Sequence, residues 1–372
     1  MWIAILVTVL VTTFLVVFSM NFHRPEKAVR HHVRHAHAIV DPQFRREMDA
    51  MLGPAVLPGN AITALQNGDE IFPAMLQAIR GATRSITFET YIYWSGDIGK
   101  AFADALKERC QAGVAVHVML DWAGSAKMEQ RLLDELTEAG VEVERYHPLR
   151  WYSIARLNNR THRKLLVVDG RIGFTGGVGI ADQWRGHAQD PDHWRDIHFR
   201  VEGPVVAQLQ AGFMDNWIKT TGRVLHSALY YPALEKAGDT RMHLFVSSPA
   251  SGSASMRLMY LLAVAAATRS IDLQAAYFIP DRLVAEALID ARERGVRVRL
   301  LVPGASDIPF LRPLTQAGFR PLLEAGIRVF EWKGSMLHAK TAVADGRWAR
   351  VGSSNLNIAS WLGNYELDAV IE

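Results

Sequence analysis

The pattern His-x-Lys-x4-Asp occurs twice in this chain. One copy is His162, Lys164 and Asp169 within THRKLLVVDGRIGFTGG; the other is His338, Lys340 and Asp345 within LHAKTAVADGRWARVGSSN. Asp169 and Asp345 are each followed by Gly-Arg, and Gly176-Gly177 and Gly352-Ser353 then fall at equal spacing. Three fixed residues at this spacing are expected by chance roughly 0.05 times in a chain of this length, so two copies with matching flanks are not coincidence. The run Leu165 to Val168 reads as a strand, where residues two apart share a face, so each motif sets an imidazole beside an ammonium. That pairing is costly unless an anion sits opposite. Two such strands would bring together two imidazoles and two ammonium groups, a set suited to a phosphate diester. One imidazole can attack phosphorus while the other protonates the leaving oxygen. The lysines can neutralise the non-bridging oxygens as charge builds.

The elements that must position these residues are themselves repeated. Ala82-Thr-Arg-Ser-Ile86 recurs as Ala267-Thr-Arg-Ser-Ile271, and each copy leads into a strand-like run, Thr87 to Tyr93 and Asp272 to Ile279. An amphipathic helix follows in both, ending at Gly113 and Gly295, and then a strand, Val114 to Leu120 and Val296 to Val302. A further helix closes at Glu138-Ala-Gly140 and Glu324-Ala-Gly326, ahead of strands through Val141 to Val143 and Ile327 to Val329. Helices closed by glycine that alternate with strands of period two read as an α/β architecture. The predicted organisation is two similar α/β halves, 59–221 and 242–372, joined by a connector at 222–241. The site is expected between them. Val205 to Thr220 reads as a helix packing on the first half's sheet. The second half stops at Glu372 with no counterpart, which predicts a missing last helix.

Composition sets the outer bounds. The chain has 372 residues, 49% hydrophobic and 21% charged, with a formal net charge of +3. That length fits two structural units or an internal duplication. The single cysteine, Cys110, excludes an intrachain disulfide and reads as buried packing. Met1 to Met20 carries no charged side chain, and roughly 20 apolar residues span a bilayer as a helix. The basic opening and small-residue cleavage site of a signal peptide are missing, so 1–22 is expected to be an uncleaved transmembrane anchor. Arg24, Lys27, Arg30 and Arg34 follow, opposed only by Glu26, and the positive-inside rule puts the body on the cytoplasmic side. Residues 23–58 read as a basic juxtamembrane linker. Its cations and His31, His32, His35 and His37 could touch anionic head groups. No Walker-type phosphate loop or Gly-x-Ser-x-Gly elbow offers another site.

The paired motifs resemble the signature of the phospholipase D superfamily. The stretches GNAITALQNGDEIFPAM, ETYIYWSGDIG, NRTHRKLLVVDGRIGFTGG and HWRDIHFRVEGP resemble the bacterial cardiolipin synthases from about Gly59 onward. The resemblance implies two phospholipase D-type α/β sandwich halves, a covalent phosphohistidine intermediate, no metal and no other cofactor. It makes His162 the nucleophile and His338 the general acid, though the sequence cannot orient the substrate and the reverse stays open. Asp169 and Asp345 would hold the site together. Asn355, after Gly352-Ser353-Ser354, would bind phosphate together with Ser353; the first half has Gly179 at the position of Asn355 and departs from the pattern. Glu366 would orient His338, and Asp196 would orient His162. The implied reaction joins two phosphatidylglycerols into cardiolipin and glycerol at the bacterial cell membrane. A hydrolase releasing phosphatidic acid would use the same residues. A nucleic-acid phosphodiesterase fits poorly with the near-neutral charge and the anchor. Trp151, Tyr152, Arg150 and Arg156, ahead of the first motif, make a mixture suited to a lipid interface.

Overall fold

The structure, a computed structural model, describes residues 2–21, 33–148, 159–248, 253–308 and 311–372. Arg24, Glu26, Lys27, Arg30, His31 and His32, and the expected interfacial group Arg150, Trp151, Tyr152 and Arg156, lie outside the described residues. In the first part of the chain the strands are β1 (Leu57–Gln66), β2 (Ser85–Thr90), β3 (Ala115–Asp121), β4 (Glu142–Tyr146), β5 (Arg160–Thr161), β6 (Leu165–Val168), β7 (Ile172–Gly176) and β8 (Ile197–Glu202). The second part supplies β9 (Thr240–Ser247), β10 (Ser270–Ala275), β11 (Arg297–Pro303), β12 (Arg328–Trp332), β13 (Lys340–Ala344), β14 (Trp348–Gly352) and β15 (Asn364–Ile371). The helices are α1 (Trp2–Asn21), α2 (Pro42–Leu52), α3 (Asn67–Arg80), α4 (Asp97–Gln111), α5 (Gln130–Glu138), α6 (Val206–Thr221), α7 (Ser253–Ala266), α8 (Arg282–Glu293), α9 (Leu311–Ala317) and α10 (Phe319–Glu324).

The duplication is visible in the strand order. The sheet runs β12-β11-β10-β13-β14-β15-β9-β1-β8-β7-β6-β2-β3-β4. Read outward from the β1–β9 seam, the two sides are the same series. In each, three parallel strands (β2, β3 and β4, or β10, β11 and β12) are joined by helices, and a hairpin (β6–β7 or β13–β14) pairs antiparallel with the first of them. The halves therefore share one sheet rather than stacking as separate units. The helix-to-strand step recurs too: Gly113 and Gly295 both adopt φ near +90°, which a residue with a Cβ takes up only at a cost.

Each side has its own apolar core. Phe72, Phe88 and Phe102 anchor the first, while Leu273, Leu300 and Trp348 belong to the second. A third core lies under α6, where Phe213 and Trp217 pack with Leu165 and Val167 of one half and Leu367 and Ala369 of the other. Cys110 is only partly buried and packs against the first core.

Part of the expected linker is structured instead. Pro42–Leu52 is a helix capped by Asp41, and its buried Phe44 and Met48 complete the second core. His35 and His37 are engaged within the protein, at 2.6 Å from Ala265 O and 3.0 Å from Glu47 Oε2. Among the described residues no helix is long and apolar enough to cross a membrane. The side chains of α1 from Trp2 to Val16 are all exposed.

Candidate active site

Where the motif residues sit follows from how the two halves cross. His162 and Lys164 lie just ahead of β6 rather than within it, and Lys340 opens β13. The His162 backbone N–H donates to Tyr365 O, and that of His338 donates to Arg195 O. Each histidine is thus stitched to the other half's backbone, one residue before that half's acid. This geometry exchanges the expected acid partners. Glu366 Oε2 lies 2.9 Å from Nδ1 of His162, and Asp196 Oδ2 lies 2.7 Å from Nδ1 of His338. The expected pairing joins each histidine to the acid of its own half, Glu366 to His338 and Asp196 to His162. That pairing is corrected by the strand crossing, which no local spacing encodes.

An ionised carboxylate only accepts hydrogen bonds, so each Nδ1 carries the proton and each Nε2 keeps its lone pair. Burial alone would raise Glu366, but His162, Lys164 and the Ser353 hydroxyl outweigh it and hold the carboxyl near 2. Asp196 is also buried. The His338 ring, Lys340 and the Ile197 N–H outweigh that burial and keep it low. Burial pushes His162 down, with Lys164 adding to the effect against the pull of Glu366. Burial and Lys340 push His338 down to about 4. Both imidazoles are therefore uncharged at pH 7 in the free protein. Burial also lowers Lys164 to about 8 and Lys340 to about 7, as expected of ammonium groups waiting for an anion. Lys164 Nζ donates to His162 O at 2.8 Å, and Lys340 Nζ stands 3.2 Å from His338 Nε2.

His162, Lys164 and His338 line one cleft of about 720 Å³. Asn355 lines it as well, and its Oδ1 is buried without a hydrogen-bond partner among the described residues. Ser353, expected at the phosphate, faces away from the cleft: its hydroxyl donates to Glu366 Oε2 at 2.6 Å. Gly179 has no room for an amide, because a Cβ there would meet Ile92 at 2.8 Å and the Trp184 ring at 3.1 Å.

Asp169 and Asp345 also stand apart from the chemistry. Each occupies the left-handed region, φ 54° and 57°, ahead of a glycine with φ 64° and 68°, the geometry of a tight hairpin turn. The Asp169 carboxylate accepts from the N–H groups of Thr83, Arg84 and Ser85 and from the Thr83 hydroxyl. Asp345 does the same for Thr268, Arg269 and Ser270. The aspartates tie the motif hairpin to the start of β2 and β10, at the end of the strand remote from histidine.

Sequence reasoning missed several neighbours. Tyr91 sets its ring edge-on to His162 at 5.1 Å, and Tyr277 to His338 at 6.2 Å. Trp184 lies 5.3 Å from His338 and donates its indole N–H to Asp196. Ser360 donates to Glu366 at 2.6 Å. Below the site, the buried carboxylate of Asp121 accepts the N–H groups of Ala123, Gly124 and Thr161.

The profile of the family described as "Cardiolipin synthase, PLD-like domain" matches residues 75–213 and 260–372. Cardiolipin synthase 1 of Bacillus anthracis is 34% identical over 317 residues, 82% of this chain and 62% of that protein. A cardiolipin synthase of Staphylococcus aureus is 32% identical over 315 residues, 84% of this chain and 64% of that protein. The chain thus spans less than two thirds of these relatives' length. In fold it is similar to the phosphatidylserine synthase of Haemophilus influenzae, with a TM-score of 0.64 at 18% identity over 88% of this chain and 86% of that one. It also resembles a polyphosphate kinase of Porphyromonas gingivalis, with a TM-score of 0.53 at 13% identity over 83% of this chain and 47% of that one. The repeated motif, the shared sheet and these matches agree: the chain belongs to the cardiolipin synthase family of phospholipase D-like proteins.

Proposed function

We propose that the protein is a phosphatidyltransferase that joins two phosphatidylglycerols into cardiolipin and glycerol. The observation that carries this reading is a pair of buried histidines in one cleft, each held at Nδ1 by a carboxylate of the opposite half. In the first step the Nε2 lone pair of one histidine, assigned as His162, forms a bond to phosphorus. The bond from phosphorus to the glycerol oxygen breaks, and that oxygen takes a proton from the other histidine, His338. In the second step the hydroxyl of another phosphatidylglycerol forms the new P–O bond as the P–N bond breaks. Its proton returns to His338. Lys164, Lys340 and Asn355 hold the non-bridging oxygens. A bound phosphate restores the proton on the acid, since an adjacent anion favours the charged imidazole.

The halves of this enzyme are taken as 59–221 and 242–372, and α1 as its membrane anchor with the body on the cytoplasmic side. What supports the anchor is the uncharged sequence of α1 and the exposure of Trp2, Ile3, Leu6, Leu10 and Phe14.

The test is a lipid assay on purified protein in phosphatidylglycerol vesicles, beside His162→Ala and His338→Ala. Cardiolipin and glycerol from the wild type, lost in both variants, are the expected result. Phosphatidic acid instead would make the enzyme a hydrolase. Lack of any histidine-dependent lipid product would overturn the lipid reading.

A further inference from the structure

Two cations in the cleft are left unused by the chemistry above. Lys127 and Arg160 line the same cleft as the histidines. Both are seated on indole rings: Lys127 Nζ lies 4.0 Å from the centroid of Trp94, and Arg160 Cζ 4.6 Å from that of Trp122. Arg160 feels the charge of buried Asp121, but the carboxylate oxygens of Asp121 are taken up by backbone N–H groups. Arg160 Nη1 is buried with no hydrogen-bond partner among the described residues.

The wall that carries these cations is fixed. Trp94 Nε1 donates to Gly124 O at 2.9 Å, the Glu129 N–H donates to Ser95 Oγ at 2.8 Å, and the Ser125 N–H donates to Asp121 O at 3.0 Å. Gly124 itself sits so close to Tyr91 O that a Cβ there would stand 2.0 Å from it. The second half contributes the other sign to the lining. Asp307, from the second half, lines the cleft and accepts from the Tyr277 hydroxyl at 2.7 Å. An anion entering beside the histidines is drawn to the first-half wall and repelled from the second.

Resting on the phosphatidyltransferase reading, we propose that Lys127 and Arg160 form a second anion subsite, which binds the phosphate of the acceptor lipid. The reacting phosphate is already matched by Lys164, Lys340 and Asn355. Water and free glycerol bring no second charge, whereas an acceptor phosphatidylglycerol brings one a glycerol unit away from its attacking hydroxyl. Holding that phosphate on the first-half wall presents the hydroxyl to phosphorus as the P–N bond breaks. The subsite thereby selects an anionic lipid over water or a neutral alcohol, which turns a hydrolase site into a synthase site.

The experiment compares two products in one tube. Full-length protein in phosphatidylglycerol vesicles receives labelled glycerol, and cardiolipin is measured beside labelled phosphatidylglycerol. The exchange product needs the same donor and the same phosphohistidine but a neutral acceptor. In Lys127→Gln and in Arg160→Gln the ratio of cardiolipin to exchange product should fall about tenfold or more, the scale of one lost charge-assisted hydrogen bond. Lys127→Arg, which keeps the charge, should restore most of it. The ratio is insensitive to lost folding, because misfolded protein makes neither product. Both products falling in parallel would mean that the cations only dock the vesicle or the donor, and would overturn the subsite, as would an unchanged ratio. Wild type that exchanges glycerol yet makes no cardiolipin would overturn the subsite and spare phosphatidyl transfer; wild type that makes neither product overturns both readings.

Discussion

His162 and Glu366 are 204 residues apart, yet the ring Nδ1 and the carboxylate Oε2 meet at 2.9 Å inside the protein. The mirror relationship joins His338 to Asp196 across 142 residues at 2.7 Å. Each half therefore completes the other's histidine, and neither has a working imidazole alone. The sheet itself is joined at the β1–β9 seam, while hydrogen bonds from the His162 and His338 backbones to the opposite half fix the register of both pairs at once.

Replacing Glu366 with Gln should disable His162 and spare His338. The amide can offer Nδ1 an acceptor but no charge, and removing an orienting carboxylate costs on the order of 10- to 100-fold in activity. Glu366 acts against burial to keep the His162 value up, so in Glu366→Gln that value should drop further. His338, governed by burial, Lys340 and Asp196, should barely move. Histidine NMR of the two variants Glu366→Gln and Asp196→Asn checks this, and the opposite assignment of shifts would restore the pairing within each half.

The motif aspartates should behave as structural residues. Asp169→Asn places an NH2 group against donors that now share a carboxylate, and because these bonds lie near the surface their loss should cost about 1 kcal/mol. Denaturation should show that loss, with kcat nearly intact below the melting temperature. The acid limb of stability should change as well. The carboxyl is held below its usual value by the three backbone N–H groups, which outweigh its burial, so its contribution is present above the unfolded value and is lost as pH falls through the folded one. A large fall in kcat in a fully folded Asp169→Asn would contradict this role.

Much of this was legible in the sequence, and the boundary is instructive. The repeat and the doubled motif name six site residues, because the hairpin strand and its Asp-Gly turn are local. The carboxylate partners were identified but assigned to the wrong histidines, since strand crossing is a tertiary fact. Tyr91 and Tyr277 escaped for a different reason. Aligning Ala82 with Ala267 sets Tyr91 opposite Ala276, one residue short of Tyr277, so comparison of the copies discards a pair that the fold makes equivalent. The linker reading failed at α2, whose Phe44 and Met48 join the same core as distant Met256 and Met259, a partnership with no local sign. Ser353 was placed at the phosphate by its position after Gly352, whereas its hydroxyl is taken by Glu366.

Substrate capture should weaken as pH rises through neutrality into the mild alkaline range. In the free enzyme burial holds Lys340 near 7 and Lys164 near 8, so both lose their protons between about pH 7 and 9. The cleft then has less positive charge for an anionic lipid, and KM rises. Bound phosphate favours the charged ammonium, so kcat should be flatter than kcat/KM over the same range. Since kcat/KM reports the free enzyme, the difference between the two profiles is the diagnostic. A kcat/KM that climbs steadily to pH 9 would mean that neither lysine titrates there.

The order of the two histidines can be read from a trapped intermediate. A donor with a p-nitrophenyl leaving group needs no proton for departure, so the first step should survive loss of the acid. In His338→Ala that step should proceed near the wild-type rate. The second step lacks the base that takes the acceptor's proton, and the loss of such a group slows transfer roughly 10²- to 10⁴-fold. Phosphatidyl-enzyme should therefore accumulate, and mass spectrometry should locate it on His162, whose Nε2 is left with its lone pair by the Glu366 bond at Nδ1. His162→Ala should form no adduct with the same donor. An adduct on His338 in His162→Ala, with none in His338→Ala, would exchange the two roles while leaving the geometry intact, and adducts in neither variant would remove the covalent step altogether.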